Sequence, residues 1–148
     1  MAFAWAALSL LAFLVAVGMA GVGGVTEQLV QFLPELAPTQ SALTAIALSF
    51  GLCVEALLVA TGVLVGYIRA DRIFRPSAFG WVNVLVIAVV VATLLAIVAL
   101  FFIPGPPQLF ILVEACVPVG ATVTLVLLVM RSLLGRAVAM HVELDEVV

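Results

Sequence analysis

An all-α integral membrane four-helix bundle is the fold this chain predicts, and three observations carry the prediction. Apolar residues make up 67% of the sequence and charged residues only 9%, whereas an ordinary soluble domain is roughly 25% charged. The apolar residues fall into four runs of the length needed to cross a bilayer, about 20 residues. The basic residues are all arginine and sit in two places: Arg69, Arg72 and Arg75 between the second and third runs, and Arg131 and Arg136 after the fourth. A soluble domain of 148 residues exposes too large a share of its surface to hide this many apolar side chains. Lipid is therefore their solvent, and residues 1–148 read as a single membrane domain. A net charge of −3 without a basic face excludes direct nucleic-acid binding, which needs cations against phosphate.

Taken in order, the first run covers 2–21. No basic residue precedes it, as a cleaved signal peptide would require, so it is expected to be a span ending at Gly21, Gly23 and Gly24. Thr26 then caps a short outer interfacial helix, apolar through Leu29, Val30, Phe32, Leu33 and Leu36 and limited by Pro34 and Pro38. A lid over a cavity between the helices is the competing role for this segment. The second span is 41–68. At roughly 100° per residue, Thr44, Leu48, Gly51, Glu55, Val59, Gly62 and Gly66 share one stripe. Gly62 and Gly66 form a GxxxG, a spacing that lets helix backbones approach in lipid. That face is expected against protein, either within the bundle or between subunits.

The third span, 81–102, opens with Trp81 at the interface and carries Asn83, whose amide can bond to a neighbouring helix. The short uncharged turn Ile103–Gln108 forces the third and fourth helices to lie side by side and antiparallel. The fourth span, 109–130, contains Glu114 and Pro118; the proline should bend the helix and free the Glu114 carbonyl. From Arg131 to Val148 the pattern becomes that of a cytosolic amphipathic helix. Leu133, Leu134, Ala137, Met140, His141, Leu144 and Val148 form its apolar side, with Arg136, Glu143 and Glu146 off it. His141 and Asp145 are spaced to pair, although an exposed pair contributes little.

Four spans put both termini on the side of the 69–75 turn, and all the arginines with them. The positive-inside bias makes that side cytoplasmic.

Glu55 is the sharpest candidate for function, because an acid at mid-span costs roughly 2.5–3.5 kcal/mol on insertion scales. A neutral carboxyl hydrogen-bonded to a backbone carbonyl or to a first- or fourth-helix partner is one expectation. A proton or cation pathway and a pocket for a ligand's amine or hydroxyl are the others. Glu114 should lie roughly 10 Å further out, as an outer-interface acid or a second step on one polar track. The arginine cluster fits anionic headgroups at about 1 kcal/mol per charge, or a docking surface for a cytosolic protein. Cys53 and Cys116 stand alone in apolar runs and read as small buried hydrophobes, with a disulfide or metal pair as the minority reading. No metal-ligand set, activated nucleophile, phosphate loop or catalytic carboxylate pair can be assembled, so neither an enzyme nor a cofactor is expected.

Three stretches, Asp71-Arg-Ile-Phe74, Ala78-Phe-Gly-Trp81-Val and Glu143-Leu-Asp-Glu-Val-Val148, resemble a family of small bacterial, especially actinobacterial, membrane proteins. This is the family of domain of unknown function 2975. Phe32-Leu-Pro-Glu-Leu36 and Leu52-Cys53-Val54 also fit it, and the resemblance covers essentially the whole chain. Departures are Arg75 for a serine, Gly80 for an arginine and Asn83 for an acid, and Glu55 and Glu114 are atypical. The resemblance implies a four-helix protein of the bacterial cytoplasmic membrane. It also implies a regulatory pairing with small helix-turn-helix proteins, whose genes often lie beside those of its relatives. The expected function is a non-enzymatic accessory or regulatory protein that senses a lipid, small molecule or partner and reports through turn and tail. A proton- or cation-linked channel or small transporter, acting as a homo-oligomer, is the alternative.

Overall fold

The computed structural model describes residues 2–70, 76–103 and 107–147. Four long helices, α1 (Ala2–Phe32), α2 (Gln40–Arg69), α3 (Pro76–Phe102) and α4 (Pro107–Val147), are joined in one place by a 3₁₀ segment, Pro34–Thr39. All four are long and apolar enough to cross a bilayer, which makes this a multi-pass membrane protein. The all-helical outcome is what lipid imposes, since a spanning backbone must satisfy its polar groups within itself. Pro76 and Pro107 each occupy the first position of a helix, where the missing N–H costs nothing and the fixed φ suits the turn.

The helices pack in chain order. α1 lies on α2, α2 on α3 and α3 on α4, so α3 has a neighbour on both flanks. It accordingly holds most of the buried side chains: Ala78, Val86, Ala88, Val89, Ala92, Ala96 and Ala99. Small residues at such positions let backbones come close, the chief source of helix affinity in lipid. On α4 the closest approach is at Gly120, where an added Cβ would stand 3.1 Å from Thr93 Cβ and 3.2 Å from its Cγ2. On α2 the small-residue stripe faces α1. Cβ atoms built at Gly62 and Gly66 would meet the Trp5 ring at 3.8 and 3.7 Å, and one at Gly51 would meet Met19 Cγ at 2.6 Å. The GxxxG therefore seats an indole within this chain rather than pressing two backbones together.

Two expected boundaries are corrected. α1 does not stop at Gly21–Gly24 but runs through them to Phe32, because in lipid no water competes for the backbone hydrogen bonds of a glycine-rich turn. Thr26 consequently caps nothing. Its hydroxyl lies 3.0 Å from Val22 O and 2.9 Å from Gly23 O, inside the helix. Instead of a separate interfacial helix, the connection is the 3₁₀ turn, begun where Pro34 interrupts the ladder and Leu33 N–H still reaches Leu29 O. α3 starts at Pro76 rather than Trp81. α4 continues through Pro118 and Gly135 into the tail without a break, its base packed on Phe79 through Gly135. Leu133, Met140 and Leu144, expected on one apolar side of the tail, remain exposed.

These contacts rank the glycines. Gly120→Ala should destabilise the protein by about 1–3 kcal/mol, the usual cost of overpacking, and Thr93→Ala in the same chain should recover part of it. Gly62→Ala, with ordinary contact distances, should be nearly neutral. Thermal unfolding in a lipid-like detergent compares the three.

Candidate functional site

An apolar cleft runs along α3. One chamber, about 350 Å³, has walls from all four helices, including Leu29, Phe50, Ala96 and Val113, and is also lined by Leu36 of the 3₁₀ segment. A second, about 410 Å³, continues between α2 and α4 past Val54, Ala92, Leu112 and Val119. Phe50, Ala96 and Cys116 line both chambers, so the two are one cleft with Phe50 at its waist. Leu36 itself is only 1% exposed, which explains why the chain folds back here: its side chain fills the gap between α1 and α2.

The cleft has almost no free hydrogen-bonding capacity. Thr26 is engaged with α1 carbonyls, Thr93 Oγ1 donates to Val89 O at 2.8 Å, and Cys116 Sγ donates to Leu112 O at 3.4 Å. Thr61, Thr122 and Thr124 elsewhere turn back on their own helices in the same way. This is how isolated hydroxyls avoid an unpaired state in hydrocarbon.

Glu55 lies outside the cleft, on the α1 side of α2. Thr44 meets Thr26 at 3.2 Å, Gly51 meets Met19 and Gly62 meets Leu8. That antiparallel register sets the apolar Val15 opposite Glu55. Among the described residues Glu55 makes no hydrogen bond to a neighbouring helix. Among the described residues the one side-chain hydrogen bond between helices is Thr44 to Thr26. Asn83, half-buried, likewise does not bond across to another helix. Glu114 is exposed and borders a different hollow, with Ile97, Leu100 and Pro118, on the α3–α4 seam. Among the described residues Glu114 borders this hollow and Glu55 does not, so the two acids are not brought together in one pocket. Arg69, Arg131 and Arg136 are exposed at the end that carries the termini, whereas Arg72 and Arg75 lie outside the described residues, as do the side chains of His141 and Asp145.

The cysteines are unpaired, as expected, but Cys116 is not buried. It is exposed on the cleft wall, because α4 has a neighbour on one flank only. Sequence reasoning offered a cavity between the helices only as the competing role of the segment after α1, and it missed the cleft's walls, its Phe50 waist and Gly120. The one available signal was the set Ala92, Ala96 and Ala99, small residues at helical spacing within an otherwise bulky span.

The family model described as Protein of unknown function (DUF2975) matches residues 1–148. The chain belongs to this family. No curated protein and no solved structure matches it. For this DUF2975 protein, then, the chemistry of the residues carries the functional argument.

Among the described residues Glu55 has no hydrogen-bonded partner, so its carboxyl adds no directional contact to the α1–α2 seam. Replacing it should follow the insertion scales, on which leucine is favourable and an acid costs a few kcal/mol. Glu55→Leu is expected to leave the unfolding midpoint in detergent unchanged or higher; a clear fall would reveal a structural partner.

Proposed function

We propose that this DUF2975 protein is a non-enzymatic regulatory protein of the bacterial cytoplasmic membrane. Its cleft senses a hydrophobic ligand, and its arginine-rich turn and tail report to the cytoplasm. The observation that carries this reading is the continuity of α4. The helix that walls the cleft with Val113, Cys116, Val119 and Val123 runs unbroken to Val147. At about 1.5 Å per residue it is roughly 60 Å long, twice the hydrocarbon thickness. A ligand that displaces the wall must move the tail, provided it binds one arrangement better than the other.

The orientation rests on charge. Every arginine lies at the end carrying the termini, and the opposite end has Glu27 and Glu35 with no basic residue, so both termini are cytoplasmic by the positive-inside rule. The tail offers Leu133 at 60% exposure, Met140 at 59% and Leu144 at 67%, an apolar stripe suited to a cytosolic protein such as a helix-turn-helix regulator. The scattered acids support this reading over a proton or cation pathway, for which Glu55 and Glu114 would have to communicate.

Two measurements test it. Reporters fused to either terminus should be active only in the cytoplasm; an external terminus overturns the orientation. A spin label at Ala139→Cys, in a Cys53→Ser background, should change mobility when Cys116→Trp fills the cleft, relative to Cys116→Ser. Identical spectra would remove the link between cleft and tail.

A further inference from the structure

We infer that the cleft holds one acyl chain of an amine-headgroup phospholipid, phosphatidylethanolamine, with its headgroup beside Glu27 and Glu35. This deepens the sensing reading and rests on it for its consequence, but occupancy is testable alone.

Shape, chemistry and charge point to the same occupant. The α3 wall runs from Val89 to Ala99, which at about 1.5 Å per residue is roughly 15 Å. A bilayer's hydrocarbon core is about 30 Å thick, about 15 Å per leaflet, so the cleft has the axial length of one chain from a single leaflet. No charged residue lines either chamber, and the hydroxyls and thiol that do are already donating to backbone carbonyls. A ligand that needs hydrogen bonds along its body finds none here, whereas a hydrocarbon chain loses nothing. The cleft also opens towards lipid, since Phe50 (38%), Val119 (62%) and Val123 (41%) are exposed along its edges.

The headgroup follows from the residues at the Leu36 end. Thr26 and Leu36 line the chamber there, and their chain neighbours Glu27 and Glu35 are exposed. Because the sequence places no lysine or arginine at this end, its potential is negative. An ammonium is attracted and an anionic glycerol headgroup repelled, an effect that falls with ionic strength.

The test uses the full chain in nanodiscs of equimolar phosphatidylethanolamine and phosphatidylglycerol, followed by native mass spectrometry of the released protein. One phosphatidylethanolamine per chain should be retained, several-fold over phosphatidylglycerol. Cys116→Trp, placed on an exposed wall position, should abolish retention. Glu27→Gln with Glu35→Gln should keep a bound lipid but lose the headgroup preference. As a second measure, a membrane-permeant maleimide should label Cys116 slowly in phosphatidylethanolamine and quickly in delipidated protein, in a Cys53→Ser background. Equal retention of both lipids by the parent chain, or unchanged retention by Cys116→Trp, overturns the inference. So does a lipid-free dimer that Cys116→Trp dissociates, which would make a second copy the occupant. Lipid bound without any response of the Ala139 label would refute the sensing reading alone. A tail response to Cys116→Trp without bound lipid would refute the lipid alone.

Discussion

Two helices can lie on opposite flanks of α3 only because the side chains between them are small. Ala92, Ala96 and Ala99 are all under a tenth exposed, and each brings α2 or α4 nearer than a leucine would permit. In lipid there is no hydrophobic drive to gather helices, so this close contact, with its dispersion energy, must hold the arrangement. The same smallness has a second effect. Alanines that admit two neighbouring helices cannot fill the space above the line where those helices diverge, and the cleft is that space. Packing and cavity are therefore one property of α3.

Polar groups are handled locally rather than between helices. Thr61, Thr93, Thr122 and Thr124 each donate to a carbonyl one turn back on their own helix. Among the described residues only Thr44 and Thr26 reach across from α2 to α1. The helices are thus joined by shape, with few directional bonds to fix their angles. That is the energetic setting in which one helix can shift against its neighbour at modest cost, and it suits a protein whose interior responds to what occupies it.

The spans and the small-residue stripe of α2 are legible in the sequence because apolar length and helical spacing are local properties. The end of α1 is not. Gly21, Gly23 and Gly24 break a helix in water, where solvent competes for the backbone, but in lipid the ladder continues through them to Phe32. Glu55 is visible as an anomaly, yet the identity of the residue opposite depends on the α1–α2 register, which no local pattern encodes. The cleft is harder still. Its walls come from four helices, and an alanine lining a cavity is indistinguishable in sequence from one that faces a neighbour. Gly120 differs again: a single glycine in an apolar run gives no sign that Thr93 lies against it.

Pro118 stands in α4 between Cys116 and Val119, beside the cleft, and the helix passes through it. Without an N–H, it leaves the Glu114 carbonyl outside the ladder and makes this the softest point in bending. From Pro118 to Val147 the helix runs roughly 44 Å at 1.5 Å per residue, so a flexure of roughly 10° at the proline carries its tip through about 7–8 Å. In the sensing role proposed above, α4 would act as a lever pivoting at Pro118: a change of side-chain width at the short arm would arrive at the long arm as a displacement large enough to make or break a helix contact.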